Sequence, residues 1–85
     1  MVRLIVETNY DPPITDEQHN DFAARLDPCL AVRGARWKRT YLSADHRRAV
    51  CEFEARDAES VRSAYHKATV PFDHVWVAEV YELKE

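Results

Sequence analysis

Apolar and polar side chains alternate at four places along this chain and recur at helical spacing at two. Val2, Leu4 and Val6 alternate with Arg3, Ile5 and Glu7, which predicts a first strand ended by Pro12-Pro13. Thr15-Asp16-Glu17-Gln18 then reads as a capping box. The Thr15 hydroxyl accepts from the Gln18 amide, and Gln18 reaches back to the cap. His19, Phe22, Ala23, Leu26 and Leu30 form the buried stripe of the helix that follows. Pro28 interrupts it, and a proline inside a helix costs about 3 kcal/mol through a lost bond and a clash. The pattern therefore predicts a break at Leu26–Asp27, with Asp27 as a second cap and Pro28 opening a short further helix. Gly34, the one glycine, suits a left-handed helix terminus.

From Ala35 to Ser43, Trp37 and Tyr41 fall on one face and Arg36, Lys38 and Thr40 on the other, which predicts strand two. Ala44-Asp45-His46 reads as a hairpin tip. Ala49, Cys51, Phe53 and Ala55 then alternate with Arg48, Val50, Glu52 and Glu54 in strand three. Matching the apolar faces sets Tyr41 opposite Ala49, Trp37 opposite Phe53 and Arg39 opposite Cys51, which requires a three-residue loop or a bulge, since an even loop would set Cys51 beside Lys38 or Thr40. Asp57 caps a second helix whose buried stripe is Ala58, Val61, Ala64, Tyr65 and Ala68. After Pro71, Val75, Val77 and Tyr81 alternate with Trp76, Ala78 and Val80. That strand is apolar on both faces and so needs cover on both sides.

The order β-α-β-β-α-β with right-handed crossovers predicts an α+β, ferredoxin-like domain over residues 1–85, with a four-stranded antiparallel sheet and two helices on one face. Eighty-five residues give a modest core, burying about 60–65% of the unfolded surface, so a homodimer covering one sheet face is the expected remedy. A net charge of −3 offers no general attraction to nucleic acid or acidic membranes. Arg33, Arg36, Lys38, Arg39, Arg47 and Arg48 nevertheless crowd the middle of the chain. The opening apolar run, broken by Glu7, is too short for a signal peptide or membrane span. Two cysteines without such a leader point to the reducing cytoplasm.

Cys51 carries two readings. It is a small hydrophobe in the core, or it is a thiolate stabilised by Arg39 across the hairpin. The four histidines, His19, His46, His66 and His74, form no close metal-binding pair, and no Cys-x-x-Cys is present. A single glycine excludes phosphate-cradling loops. Val50 to Glu54 with Asp57-Ala58-Glu59 resembles strand three and helix two of RNA-recognition motifs. The positions that stack bases are Arg48 and Val50 here, neither of them aromatic, which argues against nucleic acid as a partner.

A second resemblance spans nearly the whole chain. It rests on Val6-Glu7, Ile14-Thr15 with Glu17-Gln18, Trp37 with Arg39-Thr40-Tyr41, and Cys51 with Phe53-Glu54-Ala55 and Asp57. Glu59, Val61-Arg62, Pro71, Asp73, Val75 and Glu79-Val80 extend it. On these residues the sequence resembles a family of small bacterial proteins of unknown function whose best-known member is a nickel-binding protein. The resemblance implies a ferredoxin-like fold, a homodimer and nickel as the candidate ion. The resemblance implies a histidine near position 64 or 65, where this chain has Ala64-Tyr65, so His66 is the nearest substitute and Cys51 the anchor of the expected metal site. Thr69 stands where relatives have glycine. The alternative is a dimeric α/β-barrel enzyme, such as a cofactor-independent oxygenase or an isomerase, or a ligand-binding module. Its small-molecule pocket would be lined by Trp37, Arg39, Tyr41, Phe53 and Tyr65.

Overall fold

A computed structural model describes residues 1–84. The elements run β1 (Val2–Asn9), α1 (Asp16–Ala31), β2 (Arg36–Leu42), β3 (Arg48–Ala55), α2 (Ala58–Ala68) and β4 (His74–Ala78). The strands form one antiparallel sheet in the order β2-β3-β1-β4. This is the ferredoxin-like arrangement that the element order predicts. Leu4 and Val6 of β1, Phe53 and Ala55 of β3, Leu26 and Leu30 of α1, and Val61 and Ala64 of α2 form the core between sheet and helices. Full burial of a side chain such as Phe53 contributes about 1.5–3 kcal/mol.

The helix termini follow the capping chemistry. Thr15 Oγ1 accepts from the Gln18 amide at 3.1 Å, and Gln18 Oε1 accepts from the Thr15 amide at 2.9 Å. Asp57 accepts from the Ser60 amide and hydroxyl at 2.8 and 2.7 Å, and these two bonds hold its carboxyl below the usual range. Gly34 adopts φ +68°. Its amide donates to Ala31 and the Ala35 amide to Leu30, closing the last turn of α1.

The expected break at Leu26–Asp27 does not occur, and α1 runs unbroken through Pro28. The missing bond would have gone to the Ala24 carbonyl. Ala24 and Pro28 share the exposed side of the helix, where a carbonyl without an intrahelical partner is cheapest to leave. Strand four also ends earlier than its alternation suggests, so Val80 and Tyr81 lie beyond β4.

The hairpin register differs in one place. Trp37 faces Phe53 as expected, but a bulge at Lys38 shifts the pairing beyond it. Arg39 faces Glu52, Thr40 faces Cys51 and Tyr41 faces Val50. The bulge turns Lys38 and Arg39 to the same side, where Lys38 Nζ lies 3.4 Å from Glu54 and Arg39 Nε 3.6 Å from Glu52. His46 is not a freely solvated tip. Its Nδ1 lies 3.0 Å from the Ile14 carbonyl, and its own carbonyl accepts from the Ile14 amide, which fixes the approach to α1.

Candidate functional site

The side chains that could carry chemistry divide between the two faces of the sheet. On the helix-covered face, Thr40 stands beside Cys51 because of the bulge. The Trp37 indole, which can only donate, gives its N–H to Thr40 Oγ1 at 2.9 Å. That leaves the Thr40 hydroxyl hydrogen for Cys51 Sγ, 3.2 Å away. Burial pushes the Cys51 thiol pKa up, against the opposing hydrogen bonds from Thr40 and Tyr65. Burial likewise raises the Tyr65 phenol, with the neighbouring Cys51 adding to the effect, and it raises Tyr10 as well. The group is a protonated, desolvated cluster rather than a poised nucleophile.

The space around this cluster is small. Thr8, Tyr10, His19, Trp37, Cys51 and Tyr65 help to line a cavity of about 20 Å³. One water fits such a volume and an organic substrate does not. Trp37, Phe53 and Tyr65 do come together, with ring centroids 5.4 Å apart for Trp37–Phe53 and 6.0 Å for Phe53–Tyr65. They fill the interior instead of enclosing a pocket. Arg39 and Tyr41 stand on the opposite face of the sheet. The expected Arg39–Cys51 contact is therefore absent, and the reason is the bulge at Lys38.

His66 is exposed on α2, with its ring edge-on to Phe72 at 5.5 Å, and Phe72 in turn lies 5.2 Å from Tyr65. Tyr65, His66, Thr69 and Phe72 border an outer groove of about 420 Å³. Cys51 and His66 thus belong to different surroundings, one inside and one outside. Among the described residues, no three His, Cys, Asp or Glu side chains converge to hold a metal ion. The sequence reading gave His19 no part in the site, although it borders the Cys51 cavity. Its place on the buried stripe of α1, three residues before Phe22, is the signal that carried this.

The uncovered face is charged and ordered. Arg3 Nη1 lies 2.6 Å from Glu52, and Arg48 Nη2 lies 3.2 Å from Glu7. Glu7 also accepts from the Trp76 indole at 2.9 Å, and these bonds, the Trp76 one first, lower its pKa. Tyr41 and Trp76 stand exposed on the two edge strands of this face.

Residues 4–77 match the family described as nickel responsive protein SCO4226-like. The chain belongs to the SCO4226-like family. Its fold is also that of SCO4226 from Streptomyces coelicolor A3(2), with a TM-score of 0.83 at 12% identity, covering 94% of this chain and 99% of that one. No curated protein matches the chain. Within an SCO4226-like fold, the left-handed terminus of α2 is occupied by Thr69 at φ 56°, a conformation β-branched residues rarely adopt.

Proposed function

We propose that this chain is a cytoplasmic homodimer that binds a divalent transition-metal ion, nickel before others. The observation that carries this reading is membership of a nickel responsive family over residues 4–77. The donor chemistry is compatible with it, since imidazole and thiolate both suit nickel. No helix among the described residues is long and apolar enough to cross a membrane.

The two donors expected from the sequence play unequal parts. His66 is exposed and takes an ion without rearrangement of the fold. Cys51 must lose a proton that burial retains, and it lies beneath the helices beside a cavity with room for one water. A single imidazole holds nickel weakly, so the remaining positions are filled by water and by donors of a second copy.

Calorimetric titration of metal-free protein with nickel tests this. Saturable binding tighter than about 1 mM, weakened at least about tenfold by His66→Ala, is expected. Absence of binding below that concentration contradicts the metal reading. Binding unchanged in both His66→Ala and Cys51→Ala contradicts the donor assignment alone.

A further inference from the structure

Thr8 is out of place among its neighbours. It follows Leu4 and Val6 in the alternation of β1, on the helix-covered face, and is 4% exposed. A hydroxyl buried there is costly unless it is hydrogen-bonded. Ser60 is buried to a similar extent, and its bond to Asp57 at 2.7 Å accounts for it. Thr8 has the Tyr10 hydroxyl within bonding reach. Each of these two groups brings one hydrogen, and a bond between them uses one, so one hydrogen of the pair is left to place.

Cys51 borders the same cavity and also has a hydrogen left over. The Trp37 indole can only donate, so the chain of bonds runs one way, from Trp37 to Thr40 at 2.9 Å and from Thr40 to the Cys51 sulfur at 3.2 Å. The hydroxyl of the buried Tyr65 bonds to that sulfur as well. The sulfur therefore accepts, and the S–H hydrogen goes elsewhere. The cavity that Thr8, Tyr10, Cys51 and Tyr65 share measures about 20 Å³. A bound water needs roughly 10–15 Å³ and about two to four polar partners. With room for one molecule, the hydrogens left over on both sides meet the same oxygen.

We infer that this cavity binds one water molecule, which accepts the Cys51 S–H hydrogen and joins the Cys51–Tyr65 pair to the Thr8–Tyr10 pair. Size and charge set the class of ligand. The four groups are neutral, so an ion would be stripped of its hydration with no countercharge. An apolar atom of the same size would leave the hydroxyls unpaired. Water both accepts and donates within that volume. The bound molecule completes a line of side-chain bonds across three adjacent strands, from Trp37 and Thr40 on β2 through Cys51 on β3 to Thr8 on β1.

Oxygen-17 magnetic relaxation dispersion and the infrared S–H band test the inference in a Cys29→Ala parent, where Cys51 is the one thiol. The parent is expected to hold one long-lived water more than Ala49→Val, whose added methyl groups occupy the cavity that Ala49 borders. The S–H band is expected to move to higher frequency in that variant, because its acceptor has gone. Thr8→Val/Tyr10→Phe/Tyr65→Phe keeps the shape of the cavity and removes three hydroxyls, and it carries the test if the filled chain does not fold. An apolar hole stays dry, so the same two changes are expected there. No long-lived water in the parent overturns the site without any variant. A water that persists in both variants lies elsewhere and overturns its assignment to this cavity. Loss of the water with an unmoved S–H band overturns Cys51 as its donor.

Discussion

The two faces of the sheet are made by alternate residues of the same strands, yet they differ in nearly everything that matters for function. Beneath the helices, Leu4, Val6, Cys51 and Phe53 are buried, and the space left over suits one water. On the other side, Arg3, Lys38, Arg39 and Arg48 are interleaved with Glu7, Glu52 and Glu54. The thiol that looked most reactive from the sequence is thereby sealed and kept protonated. The groups left accessible are the charged face, the exposed imidazoles of His66 and His74, and the apolar side chains after β4. A strand with period two can separate stability from recognition at single-residue resolution, and this sheet does so.

The sharpest way to break this contrast is to truncate one residue on each face. Phe53→Ala is expected to cost about 3–5 kcal/mol in urea unfolding, because it opens a hole in a core with few side chains to refill it. Arg39→Ala, on the open face, is expected to cost under about 1 kcal/mol. Comparable losses would mean that the open face stabilises the fold as much as the core does.

A pH profile comes next in size. Burial raises the folded Cys51 thiol above its unfolded value. Between about pH 8.5, where thiols of the unfolded chain titrate, and the higher folded value, the unfolded state holds fewer protons. Stability is therefore full below about pH 8.5 and falls as pH rises. Tyr10 and Tyr65, raised in the same sense, continue the decline above about pH 10. Cys51→Val is expected to remove the first part of the fall. A wild-type profile flat to pH 10 would contradict the buried, protonated thiol.

A smaller effect sits at the end of α2. Thr69 holds φ 56°, which costs an L-residue roughly 1–2 kcal/mol, while glycine adds flexibility to the unfolded chain worth roughly 0.5–1 kcal/mol. Thr69→Gly is expected to stabilise by about 0.5–1 kcal/mol, read from the urea midpoint. Loss of stability on that change would show that the Thr69 side chain makes a contact outweighing its strain. The smallest expected effect is the coupling between Arg39 and Glu52, about 0.2–1 kcal/mol in a double-mutant cycle and reduced by salt.

Much of the architecture was legible because it is written locally. The alternation of Leu4 and Val6, the Thr15–Gln18 box, the Asp57 cap and the left-handed Gly34 each need only neighbours in sequence to be read. What could not be read depends on partners brought from afar. The hairpin register allowed for a bulge, but its place at Lys38, where Lys38 and Arg39 meet Glu54 and Glu52 on one face, depends on the strand across the hairpin. That one extra residue removed Arg39 from Cys51 and put Thr40 in its place. Pro28 is tolerated because Ala24 faces solvent, which is a property of how α1 packs. His66 and Cys51 are joined only through the family resemblance, in which His66 is the nearest substitute for a histidine at 64 or 65. One step along a helix turns a side chain by about 100°, and here that turn takes Tyr65 inward and leaves His66 outside.

The central claim, that Cys51 belongs to the buried interior while the charged and ion-accessible side chains lie on the other face, is tested most directly by thiol labelling. In a Cys29→Ala background, Cys51 would be reacted with an aromatic disulfide reagent at pH 7.5, folded and in denaturant. Folded-state labelling is expected to be at least about a hundredfold slower than in denaturant, limited by opening of the helix-covered side of the sheet. Labelling of the folded protein at close to the unfolded rate would contradict it.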